Sequence, residues 1–156
     1  MGYYIETLYR FLKSLSHIKF LTMIQPIRVQ RTRSQKNISP NELQTVCVDR
    51  TTKWGNPFKL VGNQIFVKKG KIGKVTWNYL FDGDLNLLLT YYECALIGKA
   101  IDGLRGDLEA IKSIDNWHKN HFSKLDISEL KGKNLACWCK LECKCHADIL
   151  LREANK

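Results

Sequence analysis

Cysteine and histidine side chains crowd one short segment near the carboxyl end of the sequence. Cys137, Cys139, Cys143, Cys145 and His146 lie within ten residues, so this segment holds four of the six cysteines and one of the four histidines. Thiolates and an imidazole at such spacing can bind a metal ion, form disulfides or provide a reactive thiol. Each of the three chemistries implies a different function.

Metal binding is the first hypothesis for this segment. The sequence predicts a strand ending at the first two cysteines, and its alternation puts Cys137 and Cys139 on one face and Trp138 on the other. A helix predicted over 147–153 has its N-terminus at Cys145 and His146. The intervening loop is long enough to place Cys145 and His146 beside the thiols of Cys137 and Cys139. The four residues then complete a tetrahedral zinc site.

Two other interpretations of the same residues stay open. A thiol at the first turn of a helix meets the positive end of the helix dipole, so Cys145 with His146 can act as a nucleophile and its assisting base. In the structural interpretation, Cys137 and Cys139 are small core residues of a buried strand, and His146 caps the following helix.

A second motif, Lys53-Trp54-Gly55-Asn56-Pro57-Phe58, predicts a rigid turn. Glycine permits an unusual φ, and the residue before proline avoids the helical region. Arg50, Lys53 and Asn56 are suited to hold an anion or the edge of a base, with Trp54 as a stacking face. Alternatively, the aromatic residues Trp54 and Phe58 only anchor the corner.

Basic residues concentrate in the same part of the chain. The whole chain has a formal net charge of +10, and residues 28–74 contain eleven Lys and Arg against Glu42 and Asp49. The sign reverses over residues 81–109. This polarity favours an anionic partner, a nucleotide or nucleic acid, although a charged stretch can also be only a solvated face. The candidate ligand-binding residues are Arg28, Arg31, Arg33, Arg50, Lys53, Trp54 and Asn56.

Length and composition set the architecture that must position these residues. A chain of 156 residues with 44% hydrophobic content suits one core. We expect an α/β fold: a single compact domain over residues 25–156, with a small mixed sheet flanked by helices, and an amphipathic helical extension over residues 1–24. No apolar run approaches the roughly 18 residues of a membrane span. A cytoplasmic location is expected.

The order of elements predicts where the two motifs meet. Strands are expected at 26–31, 45–50, 64–68 and 134–138, with helical pattern over 85–98 and 100–117. Sites in open α/β sheets form at the carboxyl ends of strands. We therefore expect one pocket that contains Arg50, Asn56, Cys145 and His146.

Three blocks of the sequence resemble a known family. These are the basic lead-in at 28–33, the segment Trp54–Phe58, and the run from Leu130 through Cys137-Trp138-Cys139 to Leu150. Together they resemble the domain-of-unknown-function family numbered 4326, small proteins of bacteriophages and bacteria. The resemblance implies that Cys137, Cys139, Cys145 and His146 are motif positions and that Cys143 is an addition, and Lys140 stands where members usually have proline. It implies no activity.

Two main classes of function remain after the motifs are considered, and an interaction protein of a phage that acts on host machinery is the residual third class. The first is a small nucleotide-binding or nucleic-acid-binding protein that uses its basic face and has zinc in the cysteine cluster. The second is an enzyme that acts on a nucleotide, nucleoside or modified base through Cys145, His146 and the Trp54–Phe58 turn. The sequence has no Walker loop, GxGxxG fingerprint or HExxH helix, so it gives no support to the NTPase, dinucleotide or metalloprotease classes.

Overall fold

The computed structural model describes residues 24–34, 39–69, 76–99 and 108–156. The helical extension predicted over residues 1–24 lies almost wholly outside these ranges, so it stays a prediction. Among the described helices, none is long and apolar enough to cross a membrane. In chain order the strands and helices are β1 (Arg28–Gln30), β2 (Thr45–Cys47), β3 (Phe58–Val61), β4 (Gln64–Lys69), β5 (Thr76–Asp82), α1 (Leu85–Ile97), α2 (Leu108–Asn120), β6 (Asn134–Cys137) and α3 (His146–Ala154).

A three-stranded parallel sheet carries the cysteine segment. Its order is β1-β6-β2, and all four residues of the central strand β6 are buried. The Asn134 side chain sets the start of this sheet, because its Oδ1 accepts from the Ile27 N–H and its Nδ2 donates to Asn41. The three strands run in the same direction, so their carboxyl ends share one edge.

The remaining strands form a separate antiparallel sheet in the order β3-β4-β5. The strand predicted over 64–68 is confirmed as β4, but β3 and β5 were not predicted. Strand β3 has only four residues, too few for a clear alternation of apolar and polar side chains. Strand β5 follows a Gly/Lys-rich connection, which weakens the same alternation there. The part of the chain that the structure describes therefore forms two sheets of three strands each, one parallel and one antiparallel.

Three α-helices of the described residues complete the fold and bury its core. Helix α1 begins at Asp84, whose side chain accepts from the Leu87 N–H, and ends at Gly98 with a left-handed φ of 69°. Tyr91 and Tyr92 of α1 are almost fully buried. The Tyr92 hydroxyl donates to the Trp54 carbonyl oxygen at 2.8 Å, which fixes α1 against the Trp54–Phe58 turn. The expectation of a single compact α/β domain is confirmed.

Candidate functional site

A pocket of about 380 Å³ lies at the carboxyl edge of the parallel sheet. It is lined by the loop after β2, the end of β6, one face of α1 and the start of α3. The lining residues are Asp49, Arg50, Thr51, Asn56, Leu85, Leu88, Leu89, Cys137, Trp138, Cys139, Lys144, Cys145 and His146. Its volume falls in the range of small-molecule sites. The two distant sequence motifs therefore share one pocket, as expected.

Three thiols meet in the wall of this pocket. The sulfur atoms of Cys137, Cys139 and Cys145 all lie within 4.8 Å of one another. The Cys137 and Cys139 sulfurs are 3.7 Å apart. Two thiolates on a tetrahedral zinc ion, each bonded at about 2.3 Å, are separated by about 3.8 Å. The spacing of this pair thus already suits a shared metal ion.

Local backbone structure explains how the three thiols converge. Strand β6 ends at Cys137, and the chain bends immediately afterwards, so Cys139 reaches its position from a bend and not from a continued strand. Cys145 is the N-cap of α3: its sulfur accepts from the Ala147 N–H, while the Asp148 side chain accepts from the Cys145 N–H. The expectation that His146 caps this helix is wrong, because the capping side chain is that of Cys145.

His146 is buried beside the thiols and bonded at both ring nitrogens. Its Nε2 lies 2.7 Å from the Val48 carbonyl oxygen, and its Nδ1 lies 3.6 Å from the Cys145 sulfur. A carbonyl oxygen only accepts, so Nε2 carries the proton in the neutral ring, and Nδ1 presents its lone pair to the thiol. Among the described residues, the group of mutually close metal-binding atoms contains the three cysteines without His146.

The three thiols do not share charge equally. Hydrogen bonds from Cys137 and Cys139 lower the pKa of Cys145 against the opposing effect of burial. Hydrogen bonds to Cys139 and Cys145, together with burial, raise the pKa of Cys137. A negative charge in the cluster therefore resides first on Cys145.

Asp49 organises the opposite wall and was missed as a site residue from the sequence. Its carboxylate accepts from Thr51, from the Trp138 Nε1–H at 3.0 Å and from the Cys47 thiol, and it pairs with Arg31. Burial alone would raise the pKa of Asp49, but the hydrogen bonds from Thr51, Cys47 and Trp138 lower it to about 2. Its position two residues after the parallel strand β2 was the available sequence signal.

Trp138 was expected on the strand face opposite the two cysteines, yet it lines the same pocket. The end of β6 at Cys137 removes the alternation on which that expectation depended. The ring is 48% exposed, and the Arg31 guanidinium lies 4.6 Å from its centroid. Trp138 therefore supplies the exposed aromatic surface of the site.

The Trp54–Phe58 turn contributes Asn56 to the pocket. Trp54 is only 3% exposed, so its ring has no free face for stacking in this structure, and the contacts favour its role as an anchor. Gly55 does not have the positive φ that the sequence suggested. Instead, a Cβ at this position would lie 2.6 Å from both the Arg50 Cα and the Asp49 carbonyl oxygen. Close approach of the backbone, and not φ, requires glycine here.

Most of the predicted basic ligand-binding residues have acidic or carbonyl partners. Arg31 pairs with Asp49 as described, and Lys53 pairs with Glu129. Arg28 pairs with Asp148 and donates to the Lys140 and Leu141 carbonyl oxygens, which ties β1 to the loop before α3. The predicted ligand-binding residues that do not line the pocket are Arg28, Arg31, Arg33, Lys53 and Trp54.

The pocket does bring together six of the predicted site residues. These are Arg50, Asn56, Cys137, Cys139, Cys145 and His146. Arg50 is exposed at the rim and donates to the Phe58 carbonyl oxygen at 3.1 Å. That any of these residues binds or reacts stays a prediction.

Fold and site define a small α/β protein with a thiol-lined pocket at the carboxyl edge of a parallel sheet. The chain belongs to the family described as domain of unknown function (DUF4326), which matches residues 28–156. The resemblance inferred from the motifs is thereby confirmed. No curated protein and no solved structure matches the chain. Its function must therefore be argued from the pocket.

Proposed function

We propose that the protein is a zinc-dependent enzyme that acts on a small molecule of the nucleotide class. Cys137, Cys139 and Cys145 would hold the metal as thiolates. The observation that carries this proposal is the convergence of three sulfurs in the wall of a ligand-sized pocket.

The number of ligands favours a catalytic over a structural zinc site. Structural zinc is bound by four protein ligands, whereas catalytic zinc keeps one position for water or substrate. Among the described residues the cluster supplies three, and His146 lies outside this group of mutually close ligand atoms. Zinc bound in this way supplies a water molecule of lowered pKa or polarises a substrate oxygen. His146 would keep the Cys145 side chain oriented, and the apolar face of α1 would restrict bulk water.

The proposed ligand class rests on the polar side of the pocket. Arg50 and Lys144 place two exposed cations on its lining, which suits an anionic substituent such as a phosphate. The pocket suits a small molecule better than an extended nucleic acid, because Arg28, Arg31 and Lys53 are paired with carboxylates.

Metal analysis of the purified, reduced protein tests the proposal. We expect about one equivalent of zinc per chain, and a loss of most of it in Cys137→Ser, Cys139→Ser and Cys145→Ser. Cys143→Ser is the matched control, because Cys143 is exposed in the same loop and lies outside the cluster. Absence of bound zinc, or an equal loss in the control, would contradict the proposal.

A thiol enzyme without metal is the second candidate, and one geometric observation favours it. The Cys145 sulfur caps the N-terminus of α3 and lies 3.6 Å from His146 Nδ1, the arrangement of an activated nucleophile and its base. In that case the reduced protein would lack metal, and iodoacetamide would alkylate Cys145 well before Cys143, as peptide mass spectrometry would measure. Protection of Cys145 from alkylation by bound zinc would exclude this second candidate.

A further inference from the structure

The outer face of the antiparallel sheet carries three aromatic side chains. Strand β4 alternates, with Ile65 and Val67 almost fully buried and Phe66 between them on the opposite face. Tyr79 of β5 lies opposite Phe66 in the register, and their ring centroids are 5.8 Å apart. Trp77, two positions before Tyr79, shares this face. The three rings therefore lie on the side of the sheet that is turned away from the core.

Three cations lie beside these rings. Lys59 of β3 is opposite Phe66 in the register, and its Nζ lies 5.5 Å from the Trp77 ring centroid. The guanidinium carbon of Arg50 lies 5.8 Å from the same centroid, and Lys68 is opposite Trp77. Across the residues that the structure describes, no carboxylate forms an ion pair with any of the three cations. Their charge is therefore available to a partner.

Charge and chemistry of this face indicate which partner it suits. Asp82 places a carboxylate at the far end of the face, opposite Gln64, and accepts from the Tyr79 hydroxyl, so the positive charge lies around Trp77. Single-stranded nucleic acid has both of the complementary groups, because its phosphates bind lysine and arginine and its unpaired bases stack on aromatic rings. A duplex presents its phosphates but keeps its bases inside.

We propose that the outer face of the antiparallel sheet binds single-stranded nucleic acid without sequence preference. Bases stack on the rings, and phosphates contact the cations. Of the residues that line the pocket, Arg50 alone belongs to this face, so the inference does not depend on the zinc chemistry. With so few cations the Kd is expected to be about 10⁻⁵ M near physiological salt, within the range of nonspecific binding. The residues of the proposed surface are Arg50, Lys59, Phe66, Lys68, Trp77 and Tyr79.

Fluorescence anisotropy with a labelled oligothymidylate of about ten nucleotides tests the inference on the full chain, at low salt, where weak binding is measurable. An abasic strand of the same length and charge is the matched ligand, because it retains the phosphates and lacks the bases. We expect the oligothymidylate to bind roughly tenfold more tightly than the abasic strand. Equal binding of the two would overturn the inference, since it would show attraction to phosphate without stacking.

Substitution of Trp77 tests whether the stacking occurs on this face. Trp77→Leu keeps an apolar side chain and removes the ring, so it should weaken oligothymidylate binding about tenfold and leave abasic-strand binding unchanged. Trp77→Phe should restore most of the loss. Tyr79→Leu, at a position that is 52% exposed, gives the same measurement if Trp77→Leu folds poorly. A base-dependent affinity that is unchanged in both leucine variants would place the ligand elsewhere and overturn the inference.

A pair of double variants with the same net charge tests the contribution of the cations. Lys59→Gln with Lys68→Gln should reduce the slope of log affinity against log salt by about 1.4, because each phosphate contact of a single strand contributes about 0.7. Lys112→Gln with Lys119→Gln removes two exposed charges from α2 and should leave the slope nearly unchanged. An equal reduction in both would show only a response to net charge and would contradict the inference.

A second copy of this chain is the alternative occupant of the sheet face. Sedimentation velocity on the same proteins distinguishes it from nucleic acid. Self-association that Trp77→Leu abolishes, in protein that binds no oligothymidylate, would overturn the inference and assign the face to a dimer. Zinc content is measured on the same samples, and base-dependent binding by protein free of zinc would support the inference while rejecting the metal.

Discussion

At the scale of single residues, Asp49 links the chemistry of the site to the stability of the fold. Its carboxylate is 3% exposed and accepts from Trp138 across the pocket and from Thr51 in its own turn. The same group neutralises Arg31, which lies over the Trp138 ring. The buried Asp49 carboxylate therefore positions both the Trp138 ring and the loop that carries Arg50.

Asp49→Asn should lower the free energy of unfolding by roughly 2 kcal/mol at pH 7, because the pKa of Asp49 is lowered from 3.8 to about 2 in the folded protein. A carboxyl with a lowered folded-state pKa stabilises the fold above its unfolded pKa. That contribution is lost as the pH falls from near 4 through 2. Urea denaturation across this range is the measurement.

Asp115→Asn is the control for this change. Asp115 forms an exposed pair with Lys119 one helical turn away, and such pairs contribute little. We expect its effect to stay within about 0.5 kcal/mol at every pH. A destabilisation by Asp49→Asn that is the same at pH 2 and pH 7 would contradict the assigned role of the Asp49 charge.

At the scale of elements, the turn before β3 is built around contact between backbone segments. Gly55 lies against the backbone of Asp49 and Arg50, and Asn56 accepts from the Phe58 N–H in the next step of the turn. The Pro57 carbonyl oxygen then accepts from the Lys68 N–H of β4. The antiparallel sheet thus sets the position of the loop that lines the pocket.

Gly55→Ala is expected to destabilise the fold by about 1–3 kcal/mol, at the upper end of that range because the new Cβ meets backbone and not a mobile side chain. Gly55→Asn should be at least as damaging. Gly62 is the contrasting position: it has a φ of 59° and open space around a Cβ. Because asparagine tolerates this conformation, Gly62→Asn should be nearly neutral.

Chemical denaturation of the three glycine variants at positions 55 and 62 measures these differences. Near-ultraviolet circular dichroism, to which Trp54 and Trp138 contribute together with Trp77 and Trp117, checks whether tertiary packing is disturbed. A Gly55→Asn protein as stable as the unmodified chain would contradict the claim that close approach of the backbone requires glycine at this position.

At the scale of the whole molecule, sequence patterns located the two motifs better than they described the contacts between them. The carboxyl-end rule for α/β sheets placed Asn56 and Cys145 in one pocket, because that rule depends only on strand direction. It gave no information on Trp54, whose burial depends on packing against α1 from another part of the chain. The same rule could not show that β6 ends at Cys137 or that Trp138 therefore lies on the side of the pocket.

The net charge illustrates the same limit, because composition counts charges without their partners. Arg28, Arg31 and Lys53 of the basic stretch are neutralised by Asp148, Asp49 and Glu129, of which two lie far away in the sequence. A dense basic surface could not be inferred from the spacing of lysines and arginines alone.

We therefore expect only nonspecific affinity for DNA or RNA, with a Kd no tighter than about 10⁻⁶ M near physiological salt. Fluorescence anisotropy with labelled 20-mer oligonucleotides over a salt series measures it. Sub-micromolar binding with a steep dependence on salt would contradict this expectation and would favour a nucleic-acid-binding protein. Arg33→Ala and Lys53→Ala would then identify the residues that contact phosphate.

The position of β6 between β1 and β2 has a consequence for the order of assembly. Ile27 and Asn134, which are hydrogen-bonded at the start of the sheet, are 107 positions apart in the chain. Pairing over such a separation is slow, because the entropy of closing the loop must be overcome before the contact forms. During synthesis, β1 and β2 leave the ribosome without the strand that joins them, and all three pocket thiols arrive with or after that strand. The pocket is therefore completed late, and a metal ion that enters it would bind a nearly finished fold.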